Sequence, residues 1–176
     1  ADLTVVATPV LAEVLYQRMR PALVVGCFST ALLTASALYD LPVARVGTDT
    51  LLDRLTPYEN SNRVPVTIVD ALLPEPADRQ AVSEGRRGMD TDSLAALVRA
   101  VGFAMQPKIL PELRPAAEEY LRGQLTARTW RYFKKRRLTS LGLPGGLPER
   151  LAFLPHNSTA RKVARRARAI RRSIKR

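Results

Sequence analysis

The sequence predicts an α/β domain, a parallel sheet covered by helices, and three observations carry that prediction. Short β-prone and helix-prone segments alternate from Leu3 to Val46 in the order strand, helix, strand, helix, strand. Gly and Pro punctuate the joins between them, with Pro9, Pro21, Gly26 and Pro42 at segment boundaries. The composition, 46% hydrophobic and 25% charged, is that of a globular chain, and 176 residues is the size of one domain.

Taken in order, Leu3-Thr4-Val5-Val6 reads as a short strand. Pro9 to Met19 follows as a helix, with Leu11, Val14, Leu15 and Arg18 at helical spacing and Pro9 suited to a first turn. Leu23–Val25 is the second strand, Thr30–Tyr39 the second helix, and Val43–Val46, led by Pro42, the third strand. A short helix is expected over Thr50–Leu55 with Asp49 as its cap. The β-branched run Val64–Val69 reads as a further strand or extended segment, and residues 74–90 as a polar loop. Asp90 or Thr91 caps a helix running through Leu94, Leu97, Val98 and Val101 until Pro107 ends it. One longer helix is expected from Ala116 to about Leu138, then a break at Gly142-Leu143-Pro144-Gly145-Gly146. Thr159–Arg176 is a basic, helix-prone tail. The chain thus divides into a sheet domain over residues 1–107, a helical segment over 108–142, and a Gly/Pro linker with its tail over 143–176.

Charge follows the same division. Residues 1–107 hold 9 Lys/Arg and 12 Asp/Glu, whereas 108–176 hold 19 Lys/Arg and 4 Asp/Glu, so the formal +12 belongs to the C-terminal end. A single cysteine, Cys27, excludes an intramolecular disulfide framework and any multi-cysteine zinc site. With His156 as the only histidine, no His-rich metal centre can be built from this chain, and none is expected. Cys27 itself reads either as a buried inert thiol or as one activated beside a helix start. No signal-type start is seen. The uncharged run Pro21–Tyr39 is long enough to raise a membrane span, but Gly26 divides it into a β-prone and a helix-prone part, which reads as core.

The segment Val24-Val25-Gly26-Cys27-Phe28-Ser29-Thr30 holds the local chemistry. A strand that ends in Gly26 and turns into a helix through Ser29 and Thr30 presents free N–H groups, two hydroxyls and the positive end of a helix dipole, which together suit a phosphate. Ser29 also reads as an ordinary helix cap. There is no Gly-x-Gly-x-x-Gly and no P-loop.

Three stretches in order, Val25 to Leu32, Leu41 to Thr48 and Pro57 to Pro65, resemble the C-terminal part of bacterial α-2,8-polysialyltransferase-like glycosyltransferases. The resemblance covers about the first 75 residues. It implies a GT-B enzyme, of which this chain would supply the Rossmann-like donor-binding half followed by C-terminal helices and a basic tail. It implies transfer of sialic acid from CMP-sialic acid, as donor substrate, to a glycan acceptor, with no cofactor. Of the three motifs such enzymes carry, only the Ser-Ser/Thr motif that holds the CMP phosphate maps here, onto Ser29 and Thr30 with Gly26 beside them. The His-Pro motif is absent, since His156 follows Pro155. The acidic-acidic-Gly motif is absent too, since Glu118-Glu119 precedes Tyr120. Those absences and the Ala1 start lead to the expectation of an incomplete enzyme that binds donor and lacks its base.

Asn60-Ser61-Asn62-Arg63 is a second candidate, with Asn60, Asn62 and Arg63 as donor or acceptor contacts, although Asn-Ser-Asn is equally turn chemistry. Arg45 reads as facing the site or the surface, and Asp70 as a catalytic acid in isolation or, in preference, as the cap or end of a Val66–Val69 strand. The basic end has three readings: a membrane-surface helix, a nucleic-acid arm, or a solvated tail. Aromatic Trp130, Tyr132 and Phe133 beside Lys134, Lys135, Arg136 and Arg137 suit a membrane interface or stacking on nucleic acid, and the thin apolar stripe among Arg165, Arg166, Arg171 and Arg172 suits shallow insertion; the resemblance, which implies polymer synthesis at the inner membrane face, favours the first reading. No nucleic-acid motif accompanies them. The resulting expectation is a cytoplasmic protein held at the inner membrane face, with nucleic acid as the less favoured partner. The rival reading is a non-catalytic basic protein binding nucleic acid or anionic membrane.

Overall fold

A computed structural model describes residues 5–7, 9–85 and 88–147. Its centre is a pair of parallel strands, β1 (Val24–Gly26) and β2 (Val43–Arg45), in register Val24 with Val43 and Gly26 with Arg45. The chain reaches β1 through α1 (Ala12–Met19) and crosses from β1 to β2 through α2 (Thr30–Leu38). This is the β-α-β alternation that the sequence predicts. The apolar residues of α2 explain its place: Leu32 and Ala35 pack with Val43, Val69 and Tyr16 in a small core beside the sheet. Gly26 permits the close approach, because a Cβ there would sit 3.3 Å from the Leu32 side chain.

Beyond β2 the chain is helical: α3 (Thr48–Arg54), α4 (Arg63–Leu72), α5 (Arg79–Ser83) and α6 (Thr91–Met105). A 3₁₀ turn at Pro111–Leu113 leads into α7 (Arg114–Gly123), and a second at Thr129–Tyr132 leads to α8 (Lys135–Ser140). Their apolar faces meet in a second, larger core that includes Leu52, Val66, Leu97, Val101, Phe103, Leu121, Tyr132 and Leu138. Leu52, Leu97 and Leu138 are wholly buried, and each such side chain is worth about 1.5–3 kcal/mol of transfer free energy.

Four expectations are corrected here. Val5 and Val6 belong to no strand, and the sheet has two strands among the described residues; Leu3 and Thr4 lie outside them. Val64–Val69 is helical. Its β-branched residues are overridden because Arg63, Val66, Thr67, Asp70 and Ala71 share a buried helical face. Pro65 is accommodated because it sits in the first turn, where an N–H has no helical partner. The 74–90 loop contains α5, capped by Asp78 accepting from the Ala81 N–H at 3.0 Å. Ala116–Leu138 is not one helix. After Gly123 the Thr129 hydroxyl donates to the Gln124 carbonyl at 2.6 Å and accepts from the Thr126 N–H at 2.8 Å, so side chains take over groups a helix would use.

The remaining expectations fare better. Thr50–Leu55 is helical but begins earlier, from Gly47 in the left-handed conformation rather than from Asp49. The helix through Leu94 to Val101 starts from Asp90, whose carboxylate accepts from the Ser93 N–H at 2.9 Å. The uncharged run Pro21–Tyr39 is divided into β1 and α2, and no helix among the described residues is long and apolar enough to cross a membrane.

Candidate functional site

Parallel strands bring their carboxyl ends to one edge, and that edge gathers both strand-to-helix turns. Val46 N–H donates to the Gly26 carbonyl at 2.8 Å, so the turn after β2 lies directly beside the turn after β1. Neighbouring strands are about 4.8 Å apart, which places two different turns within reach of one small ligand.

The first turn is Cys27-Phe28-Ser29. Ser29 is the N-cap of α2, and its Oγ accepts from the Ala31 N–H at 3.2 Å. Ser29 and Thr30 are both exposed. The cap reading of Ser29 is therefore seen directly: the Ala31 N–H goes to the Ser29 Oγ and the Leu32 N–H to the Ser29 carbonyl at 3.1 Å, so what the start of α2 presents outward is the exposed pair Ser29 and Thr30. Cys27 is a free, half-buried thiol.

The second turn is Val46-Gly47-Thr48-Asp49, with Gly47 at φ 71°. It borders a shallow hollow of about 170 Å³ lined by Arg45, Val46, Gly47, Asp49, Glu75 and Pro76. Its floor is a buried polar network that sequence reasoning did not find. Arg45, 6% exposed, donates through Nε to the Leu73 carbonyl at 3.0 Å and through Nη1 to Thr48 Oγ1 at 2.6 Å. The same guanidinium pairs with Asp70 at 2.9 Å and with Glu75 at 3.1 Å. Asp70, 1% exposed, also accepts from the Thr48 hydroxyl at 2.6 Å, the Tyr132 hydroxyl at 2.8 Å and Arg131 at 3.2 Å. Burial, reinforced by the Asp70 charge, pushes the Tyr132 hydroxyl well above the ordinary tyrosine range, so it serves as a donor throughout the physiological range. Arg45 is thus neither a surface group nor an independent ligand group, and Asp70 is the hub of a structural cluster within α4 and not the end of a strand.

The Asn60–Arg63 candidate separates into two parts. Asn60 Oδ1 accepts from the Asn62 N–H at 3.0 Å, which is the turn chemistry expected of Asn-Ser-Asn, and Asn62 is exposed. Arg63 is wholly buried. Its guanidinium donates to the Tyr58 and Leu55 carbonyls, both at 2.9 Å, and lies 4.2 Å from the Tyr58 ring centroid. Burial holds its pKa below the usual arginine value. In this arrangement Arg63 fastens the loop before α4 and presents no surface to a sugar.

The basic stretch is also divided. Arg137 donates to the Ala104 and Met105 carbonyls at 2.6 and 3.0 Å, capping the end of α6, and pairs with Glu59 at 2.8 Å. Lys134 reaches Asp53 at 3.4 Å, while Lys135 and Arg136 are exposed. Tyr132 and Phe133 are buried in the larger core and do not form an interfacial belt. Arg165, Arg166, Arg171, Arg172 and His156 lie outside the described residues.

A larger hollow of about 530 Å³ lies between the start of α6, with Asp90, Asp92 and Ser93, and the end of α7, with Tyr120 and Gln124. None of the residues singled out in the sequence for donor binding lines it. Among the described residues no group of three or more His, Cys, Asp or Glu is placed to share a metal ion. Comparison with protein-family models, with curated proteins and with solved structures returned no match.

Proposed function

We propose that this chain is the donor-binding portion of a glycosyltransferase of polysialyltransferase type, one that transfers sialic acid from CMP-sialic acid to a glycan acceptor. The observation that carries the proposal is the exposed pair Ser29-Thr30 at the start of α2, immediately after a parallel strand that ends in Gly26. Phosphate binding there would use the two hydroxyls as donors and the helix dipole, and the Ala31 N–H once the Ser29 Oγ releases it to the ligand. The Ser-Thr resemblance supports the same use. Asn62, exposed beside its turn, remains available as a further sugar contact; Arg63 supports that turn from within.

Calorimetric titration of CMP against the full chain tests the proposal. Binding is expected in the unaltered chain, with at least a tenfold loss in Ser29→Ala/Thr30→Ala, the scale of two lost hydrogen bonds to a charged group. An intact fold that binds no CMP, or equal binding by the double variant, leaves Ser29 as a cap alone and returns the protein to the class of non-catalytic basic binders. Association with the inner face of a membrane is part of the same proposal, with exposed Lys135 and Arg136 contributing charge from α8. Co-sedimentation with anionic vesicles, absent with neutral ones and lost in a chain ending at Ser158, is the corresponding outcome.

A further inference from the structure

The buried polar side chains Arg45, Thr48, Asp70 and Thr129 all find partners within the protein, as interior polar groups generally do. Two buried atoms on α4 do not. Arg63 Nη1 and Thr67 Oγ1 have no hydrogen-bond partner among the described residues, although both residues are wholly buried. The rest of the Arg63 guanidinium is accounted for: Nε donates to the Tyr58 carbonyl, Nη2 donates to the Leu55 carbonyl, and the Tyr58 ring covers one face. Only Nη1 keeps its N–H donors unused. Glu59, the acid closest in sequence, is paired with Arg137 at 2.8 Å.

Helix geometry brings these two groups together. Residues four apart are neighbours on one helix face, with Cβ atoms about 5–6 Å apart, and Arg63 and Thr67 share the buried face of α4. Helical side chains lean toward the N-terminus, so the Thr67 side chain lies over the turn that carries Arg63. A helical threonine commonly satisfies its hydroxyl on the carbonyl four residues back. Thr34 and Thr139 do so, on Thr30 and Lys135. Thr67 does not use the Arg63 carbonyl in this way. In a dry interior each unpaired group bears its full desolvation cost. The guest that relieves both must accept from a guanidinium, bond a hydroxyl in either sense, and fit between consecutive turns of a helix. Water has that chemistry and that size.

We infer that α4 holds a buried water site, in which one molecule accepts from Arg63 Nη1 and is hydrogen-bonded to Thr67 Oγ1. The site completes the hydrogen bonding of the residue that ties Leu55 and Tyr58 to α4. The attachment of the loop that carries Asn60 and Asn62 thus runs partly through internal solvent. The inference is independent of the donor-binding proposal, since neither atom faces the carboxyl edge of the strands or the surface.

Thr67→Val in the full chain tests the inference by the sign of its effect, because valine keeps the shape of threonine and removes only the hydroxyl. With water bridging the two groups, the urea midpoint is expected to fall by about 0.5 M, the scale of one net hydrogen bond. An unchanged or raised midpoint overturns the inference, since replacing an unpaired buried hydroxyl by a methyl group stabilises the fold. A high-resolution crystal structure of the unaltered chain gives a second reading that needs no variant. One peak about 2.7–3.2 Å from both Arg63 Nη1 and Thr67 Oγ1 is expected. No peak there, or direct pairing of either atom with another protein group, overturns the site. An anomalous signal at the same place in a bromide-soaked crystal assigns it to an anion and overturns the choice of water.

Discussion

The sheet side and the helical side of this molecule are built to different standards. Around α3, α4, α6, α7 and α8 a continuous core buries Leu52, Leu97, Val101 and Leu138 completely, and the Asp70 network ties α4 to β2 and to the 3₁₀ turn at Thr129–Tyr132. Around β1 and α1 the apolar cover is thin: Leu11, Met19, Leu23, Val25 and Leu38 are all exposed, and the smaller core is confined to a few residues such as Leu32, Ala35 and Val43. The candidate ligand turns sit on the thin side, while the groups that fix their geometry belong to the thick one. That division is a familiar physical arrangement, in which binding groups occupy turns and a rigid scaffold holds them.

The difference can be broken most severely at Asp70. Asp70→Ala leaves buried Arg45 with only the half-exposed Glu75 as counter-charge and strips the Thr48 and Tyr132 hydroxyls of their acceptor, and a loss of about 3–5 kcal/mol in urea unfolding is expected. A loss below 1 kcal/mol would mean that Arg45 finds solvent and that the two sides are not joined through this pair. Leu97→Ala tests the helical core directly, with an expected cost of about 2–5 kcal/mol. Val25→Ser, on the exposed face of β1, should cost under about 0.5 kcal/mol. Comparable costs for these two substitutions would erase the contrast between the two sides. Ser29→Ala removes the cap of α2 and is expected to cost about 1 kcal/mol, a smaller effect on stability than on CMP affinity.

The smallest expected effect is a pH dependence at the start of α6. Hydrogen bonds from the Ser93 side chain and backbone hold the Asp90 carboxyl below its ordinary value. A carboxyl with a lowered folded-state pKa binds its proton more readily when unfolded. Its contribution is therefore complete above the ordinary carboxylate pKa and is lost as pH falls through the folded value. Asp90→Asn should flatten the acid side of the stability profile, measured by thermal melting between pH 6 and about pH 2. An unchanged acid limb would show that Asp90 titrates alike in both states.

The elements that were legible in the sequence are those whose local signals agree. Leu23–Val25 and Val43–Val46 combine β-prone residues with Pro or Gly boundaries, and each predicted strand overlaps the observed one. Asp90 precedes an apolar period that only a helix satisfies, and it caps one. Signals misled where residues serve a partner far along the chain. Val64–Val69 carries β-branched side chains, but Arg63 and Asp70 must both turn inward, and only helical spacing sends them to the same side. Trp130 to Phe133 reads as an aromatic patch beside a basic run, yet Tyr132 is committed to Asp70, 62 residues away. No local pattern announces such a pair.

The candidate site divides along the same line. Gly26, Ser29 and Thr30 lie within one stretch of five residues, so the sequence alone determines a strand end, a cap and a helix start, with the dipole that follows from backbone geometry. Whether Arg45, Arg63, Asp70, Arg137 and Glu75 face a ligand or the interior was decided only by tertiary structure. A charged side chain tolerates burial when carbonyls and counter-charges from distant segments converge on it. Arg45 meets Leu73, Asp70 and Glu75 in this way, and Arg63 meets Leu55 and Tyr58. The sequence therefore set where an anion could be greeted, and packing set which of the charged residues remained free to greet it.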